Sequence, residues 1–152
     1  MEITHRAAVL GSPIAHSLSP VLHGAGYEAA GLEGWEYTRI LCQAEELSRV
    51  VRESGETYRG FSVTMPCKFA ALDFADEVTE RAQQIGSANT LTRVDGHWRA
   101  DNTDCEGALV ALRELLGHTL PKRAVLVGAG GTARAVMWAL RELGCEQVTV
   151  VN

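Results

Sequence analysis

The chain is short of the features that declare a function from composition. Aromatic residues make up only 6% of its 152 positions, and proline occurs four times. No segment approaches the roughly 20 consecutive apolar residues of a membrane span, and the N-terminus MEITHRAAVLG lacks a long apolar stretch ahead of a small-residue cleavage site. A soluble, cytoplasmic protein is therefore expected. Basic residues are outnumbered, 14 Lys and Arg against 19 Asp and Glu, giving a net charge of −5. An electrostatic grip on nucleic acid or an anionic membrane needs a basic face, so neither is expected, and a small-molecule partner fits better. Cys42, Cys67, Cys105 and Cys145 stand far apart, with no C-x-x-C pair and no histidine at metal-ligand spacing. Neither a zinc site nor a disulfide framework has support; no metal is expected, and the thiols read as reduced. Internal repeats and low-complexity segments are missing too. What remains, 46% hydrophobic and 22% charged residues, is ordinary globular composition.

Apolar runs alternate with helical patterns from the start. Ala7 to Leu10 reads as a buried strand closed by Gly11 and a loop, followed by a helix with Ser19 as N-cap, Pro20 at its first position and Gly31 past its end. Tyr37 to Leu41 suggests a second strand. Leu47, Val50 and Val51 share one face of a helix that stops at Gly55. Gly60 to Thr64 reads as a third strand, with Pro66 opening the next helix, and a polar helical region spans Asp76 to Gln84. In ANTLTRVDGHWRAD, Asp95-Gly96 separates two runs as in a type I′ hairpin, so an antiparallel pair is expected. Thr103 and Glu106 form the T-x-x-E pattern of a capping box ahead of Leu109, Leu112 and Leu116, with Gly117 as the stop.

A strand from Ala124 to Val127, a glycine-rich turn, a helix to Leu143 closed by Gly144 and a strand from Gln147 to Val151 complete the chain. Gly128, Gly130 and Ala133 fit G-x-G-x-x-G/A between a strand and a helix, the context in which that pattern binds a dinucleotide. Gly128 permits the tight turn, Gly130 lets backbone approach a pyrophosphate, and small Ala133 lets the helix pack closely, while free N–H groups at the helix start favour an anion. No G-K-[ST] follows, which argues against a nucleoside triphosphate loop. The second strand ends in Val151-Asn152 with no acidic residue, which removes repulsion against a 2′-phosphate and leans toward NADP(H) over NAD. The fold class expected is α/β: a substrate-binding domain with a mostly parallel sheet over 1–101, a connecting helix over 102–117, and the first βαβ unit of a Rossmann dinucleotide-binding domain over 118–152. Because one βαβ unit leaves an open sheet, the sequence is expected to be the front part of a longer protein, with little activity alone.

Four further segments have ordinary local readings when taken singly. In SPIAHSLSP at 12–20, Ser17 and Ser19 cap a helix. In SVTMPCK at 62–68, Lys68 is a solvated first-turn lysine. In GSANTL at 86–91, Asn89 and Thr90 satisfy turn backbone, and in DNTD at 101–104, Asp104 meets a helix dipole. Taken in order with GAGGTARA at 128–135, they resemble the shikimate dehydrogenase family, whose pattern is close to NPIxHSxSP, NVTxPxK, GAxNTL, DNTDxxG and GAGGxxRA. The resemblance runs from Val9 to the last residue. It implies NADPH-dependent reversible reduction of 3-dehydroshikimate to shikimate, on the route to chorismate and the aromatic amino acids, by a monomer or homodimer. On this resemblance Lys68 and Asp104 are the catalytic pair, and Ser17, Ser19, Thr64 and Asn89 hold the substrate's carboxylate and hydroxyls. Gly128, Ala129, Gly130, Gly131, Thr132, Ala133 and Asn152 bind the cofactor. Ser62 stands where asparagine is commoner, and Cys105 where glycine is frequent. Two rival readings are a quinate/shikimate dehydrogenase using NAD and a non-catalytic shikimate-binding or regulatory module. His16 or His23 as the acid/base is a weaker alternative to the lysine.

Overall fold

Apolar runs closed by glycine place buried strands side by side, and a computed structural model describes the result for residues 2–152. Strands β1 (His5–Gly11), β2 (Trp35–Leu41) and β3 (Tyr58–Val63) run parallel, with β1 between the other two. Beyond β3 the sheet continues through β5 (Thr90–Val94), antiparallel to β3, and β6 (His97–Asp101), antiparallel to β5, to a two-residue edge strand β4 (Glu77–Val78) parallel to β6. The β5–β6 turn is Asp95-Gly96 with φ of 50° and 86°, the positive pair that a type I′ hairpin requires.

Strand alternation sorts side chains to the two faces. Ala8, Leu10, Phe61, Val63 and Leu91 meet Leu47 and Val51 of α2 (Leu47–Glu53) and Ala71 of α3 (Lys68–Phe74) in the main core. On the opposite face α1 (Ser19–Ala29) packs through aromatic rings: His23 stacks on Tyr37 with centroids 4.0 Å apart, and Tyr27 tilts against Trp35 at 5.3 Å. A second sheet holds only β7 (Arg123–Val127) and β8 (Gln147–Val151), parallel and joined by α6 (Gly131–Glu142). Helix α5 (Asp104–Leu116) leaves β6 and packs along α6.

Four local expectations need correction. Pro66 does not open a helix: it follows a cis bond in a turn where Cys67 N–H donates to the Thr64 carbonyl at 2.8 Å, and α3 begins at Lys68. The region from Asp76 to Gln84 is not one helix. Asp76 N–H reaches the Trp98 carbonyl at 2.8 Å and Thr79 N–H the Ala100 carbonyl at 3.0 Å, so edge pairing to β6 claims β4 and helix α4 (Glu80–Ile85) starts only after it. Ser19 is the first helical residue rather than the cap; Leu18 takes the cap position, and Ser17 Oγ accepts Ser19 N–H at 3.3 Å. The Thr103–Glu106 capping box does not form. Thr103 Oγ1 is engaged with Asn89 and the Glu106 carboxylate with Arg81, both stronger tertiary partners than the local backbone.

Asp101, at the end of β6, ties these pieces together. Its carboxylate accepts from Arg81 Nε at 2.6 Å, Thr79 Oγ1 at 2.7 Å and Asn102 N–H at 2.8 Å. The Arg81 guanidinium, helped by Thr79 and the Asn102 N–H, lowers its pKa to about 2. A lowered carboxyl pKa stabilises the fold fully above the unfolded-state value, and the contribution disappears as pH falls through the folded value. Between roughly pH 4 and pH 2 the chain is therefore expected to lose about 1–2 kcal/mol through this group, after allowance for solvent screening. Urea unfolding across that range should show the loss. Asp101→Asn should be the less stable protein near neutrality, with the gap closing toward pH 2; a gap independent of pH would contradict the assignment.

Candidate active site at the carboxyl ends of the strands

Because β1 and β3 are parallel neighbours, the loops leaving them emerge together at one end of the sheet. Ser12 N–H donates to the Met65 carbonyl at 2.9 Å, and Thr64 N–H to the Leu10 carbonyl at 2.9 Å. The second of these loops ends at the first residue of α3, so Lys68 is delivered to the rim of the sheet with its side chain only 12% exposed. The β5–β6 hairpin returns its chain to the same end, where α5 begins with Asp104. Lys68 Nζ forms an ion pair and hydrogen bond with Asp104 Oδ2, and it also donates to Thr132 Oγ1 at 3.2 Å.

Asp104 is held from both sides. Asn89 Nδ2 donates to its Oδ1 at 2.9 Å and to Thr103 Oγ1 at 2.9 Å, while Asn89 Oδ1 accepts from Thr103 N–H at 3.0 Å and from Thr90 Oγ1 at 2.9 Å. Behind it, Asn102 is fully buried and accepts the Asp104 N–H at 3.0 Å, and its own amide donates to the Ser87 carbonyl at 2.8 Å and to Ser87 Oγ at 3.1 Å. A buried amide with its polar atoms satisfied fixes one geometry, so the carboxylate next to Lys68 cannot swing freely.

A cleft of about 650 Å³ lies against Lys68, with Asp104 behind the lysine rather than on the cleft wall. Thr64 and Lys68 line it on one side, and Gly128, Gly130, Gly131, Thr132 and Ala133 on the other. Gly128 has φ +103°, and a Cβ at Gly128 or Gly130 would project into open space, so the turn offers a bare backbone surface. Gly130 caps α6 without any side-chain hydrogen bond to the helix N–H groups. Bare backbone, free N–H groups and a positive helix end suit a pyrophosphate, so these residues fit a dinucleotide. Ala129 is not among the cleft-lining residues. Asn152 follows β8 at the sheet end that also carries Gly128, whose N–H donates to the Val151 carbonyl at 2.7 Å.

The structure thus gathers Lys68, Asp104, Asn89, Thr64 and most of the glycine-rich turn. Ser17 and Ser19, like Asp104 and Asn89, are not among the residues that line the cleft; they belong to a hydroxyl cluster in which Ser17 Oγ donates to Ser19 Oγ at 3.2 Å and Tyr37 Oη donates to Ser62 Oγ at 2.7 Å. Burial pushes the Tyr37 pKa up, against the opposing hydrogen bonds to Ser62 and Ser19. Sequence reasoning missed Tyr37, Asn102, Thr103 and Ser87. Asn102 and Thr103 lay inside the quoted DNTD segment, and Tyr37 was visible only as a polar aromatic in a strand. Cys67, beside Lys68, is no nucleophile, because burial above all holds its thiol up at about 12. His16 is exposed, and His23 is occupied in stacking on Tyr37.

Comparison with known proteins places these features in company. A family model described as the shikimate dehydrogenase substrate binding domain matches residues 9–91. A shikimate dehydrogenase (NADP(+)) of Thermus thermophilus is 45% identical over 141 residues, covering 93% of this chain and 53% of the relative. The Synechocystis enzyme of the same name is 40% identical over 151 residues, covering 98% and 51%. Among solved structures, Mycobacterium tuberculosis shikimate dehydrogenase superposes with a TM-score of 0.83 at 54% identity, covering 97% of this chain and 55% of that one. The Thermus thermophilus enzyme in complex with NADP(H) and shikimate gives 0.83 at 40% identity, covering 96% and 56%. The chain spans about half the length of the curated relatives it matches.

The Asn102 network yields a stability prediction. Asn102→Ala strands the Ser87 carbonyl and the Asp104 N–H in a buried site, so it is expected to cost about 2–3 kcal/mol. Urea denaturation measures this directly. An unchanged midpoint would mean that water replaces the amide without loss.

Proposed function

This chain belongs to the shikimate dehydrogenase family, and from that premise we propose that the whole protein catalyses the reversible reduction of 3-dehydroshikimate to shikimate with NADPH. The single observation that carries the reading is that Lys68, paired with Asp104, faces a glycine-rich helix start across one cleft. The relatives' name, shikimate dehydrogenase (NADP(+)), supports both the reaction and the cofactor. The domains are proposed as a substrate-binding unit over 1–101, a connecting helix over 102–117 and the start of a dinucleotide-binding unit from 118. The partner is a small molecule. No helix among the described residues is long and apolar enough to cross a membrane.

The cofactor, when bound along Gly128 to Ala133 and toward Asn152, supplies the hydride. The chemistry left to the protein is to hold the ring and manage one proton. Lys68 Nζ, poised in the ion pair, stands at the ketone oxygen, where an ammonium both stabilises developing negative charge and lies in the path of the proton. Asp104 keeps the lysine pointed into the cleft and completes the pair that hands the proton over. Asn89 holds Asp104 in position and lends the ring the amide hydrogen that otherwise bonds Thr103. Thr64 offers a hydroxyl from the cleft wall, and Ser17 and Ser19 offer hydroxyls from the β1 loop, short side chains suited to a carboxylate and ring hydroxyls at fixed reach.

In the full-length protein, Lys68→Ala is expected to lower kcat for shikimate oxidation by on the order of 10²–10⁴-fold while shikimate KM changes by less than about tenfold. Steady-state rates with shikimate and quinate, each with NADP and NAD, provide the measurement. Equal losses in binding and turnover would favour a binding module, and faster turnover of quinate with NAD would favour the quinate-specific relative.

A further inference from the structure

The dinucleotide turn accounts for Gly128, Gly130 and Ala133 by backbone geometry, but nothing in that geometry demands the arginine that follows at 134. Its side chain leaves α6 and crosses to the substrate-binding unit. Nη1 donates to the Gly86 carbonyl at 3.2 Å, and the guanidinium lies over the Phe69 ring with Cζ 4.7 Å from its centroid. Phe69 directly follows Lys68 in the chain. Gly86 directly precedes Ser87, whose hydroxyl reaches the Gly131 carbonyl at 3.4 Å.

The fit around the guanidinium is close. Gly86 has φ +71°, and a Cβ there would sit 2.6 Å from Arg134 Nη1, so a bare backbone gives the arginine its seat. One turn back, a Cβ on Gly131 would lie 3.0 Å from Lys68 Cδ, so the lysine stem rests directly against the start of α6. Any slide of α6 therefore moves the surface against which Lys68 is packed. A planar guanidinium can stack on a ring and donate in its own plane at once, whereas an ammonium delivers only a point charge.

We propose that Arg134 is a positioning residue, which fastens the glycine-rich turn to the segments on either side of Lys68 and so sets the turn's distance from the lysine. The catalytic consequence rests on the functional reading above; the fastening does not. The test uses Arg134→Ala and Arg134→Lys in the full-length protein, with amide hydrogen exchange in the absence of any ligand and steady-state kinetics. Arg134→Ala should speed exchange across residues 134–138, whose N–H groups are bonded within α6, and 86–88 by roughly 3- to 30-fold, leave β1 and β2 unchanged, and lower kcat by a similar factor with shikimate KM within about twofold. Arg134→Lys should restore only part of both, and adding Phe69→Leu to Arg134→Ala should cost less than the sum of the two single changes. Unchanged exchange at 134–138, full rescue by lysine, or strict additivity with Phe69→Leu would overturn the proposal. Failure of the unsubstituted protein to oxidise shikimate would instead sink the functional reading, and the exchange measurements would still decide the fastening.

Discussion

The contact between Lys68 and Asp104 is the constraint around which the rest of the site is arranged. The lysine opens α3 and the aspartate opens α5, so each is the end point of a different excursion from the sheet. Both side chains are largely withdrawn from solvent, 12% and 28% exposed, and a charge in that setting needs its partner in place. An ion pair at a cleft rim is a weak source of stability but a strong device for orientation here, because each headgroup has a second partner, Thr132 for the lysine and Asn89 for the aspartate. Thr132 of α6 also touches the lysine, which brings a third element to the same atom.

The DNTD segment supplies the rigidity behind that contact. Asp101 anchors the segment to Arg81 and Thr79, Asn102 plugs into the backbone at Ser87, Thr103 locks with Asn89, and only then does Asp104 face outward. Three of the four side chains thus serve the fourth. The same logic explains why the expected capping box gave way: Thr103 gains more from bonding a buried-edge amide than from closing its own helix, and Glu106 is drawn to Arg81.

Much of the fold was legible because glycine and hydrophobic spacing act locally. The strands near Ala7, Tyr37 and Gly60, the Asp95-Gly96 hairpin, and the helix stops at Gly31, Gly55 and Gly144 lie where spacing and positive φ put them. Three of the four misreadings share one cause. Pro66, the region around Glu77 and the start of α5 look helical or capped when only neighbours in sequence are considered, yet each lies in a segment held by a partner remote in sequence: Ser12, whose N–H donates to the Met65 carbonyl, the β6 edge and Asn89 respectively. At the site, motif order made Lys68, Asp104 and Asn89 visible. Asn102, Ser87 and Tyr37 were not, because their importance lies in whom they meet.

By itself the sequence determined an α/β chain with a glycine-rich turn between a strand and a helix near its end, since apolar periodicity and glycine placement depend on the backbone's own geometry. It also named the family through five ordered motifs. Only the tertiary structure decided that Lys68 meets Asp104, that Asn102 holds the Asp104 backbone and Asn89 its carboxylate, and that Arg134 reaches back to Phe69 and Gly86. The reason is physical: hydrogen bonds and ion pairs between residues distant in sequence depend on strand order and helix placement, which no local pattern encodes.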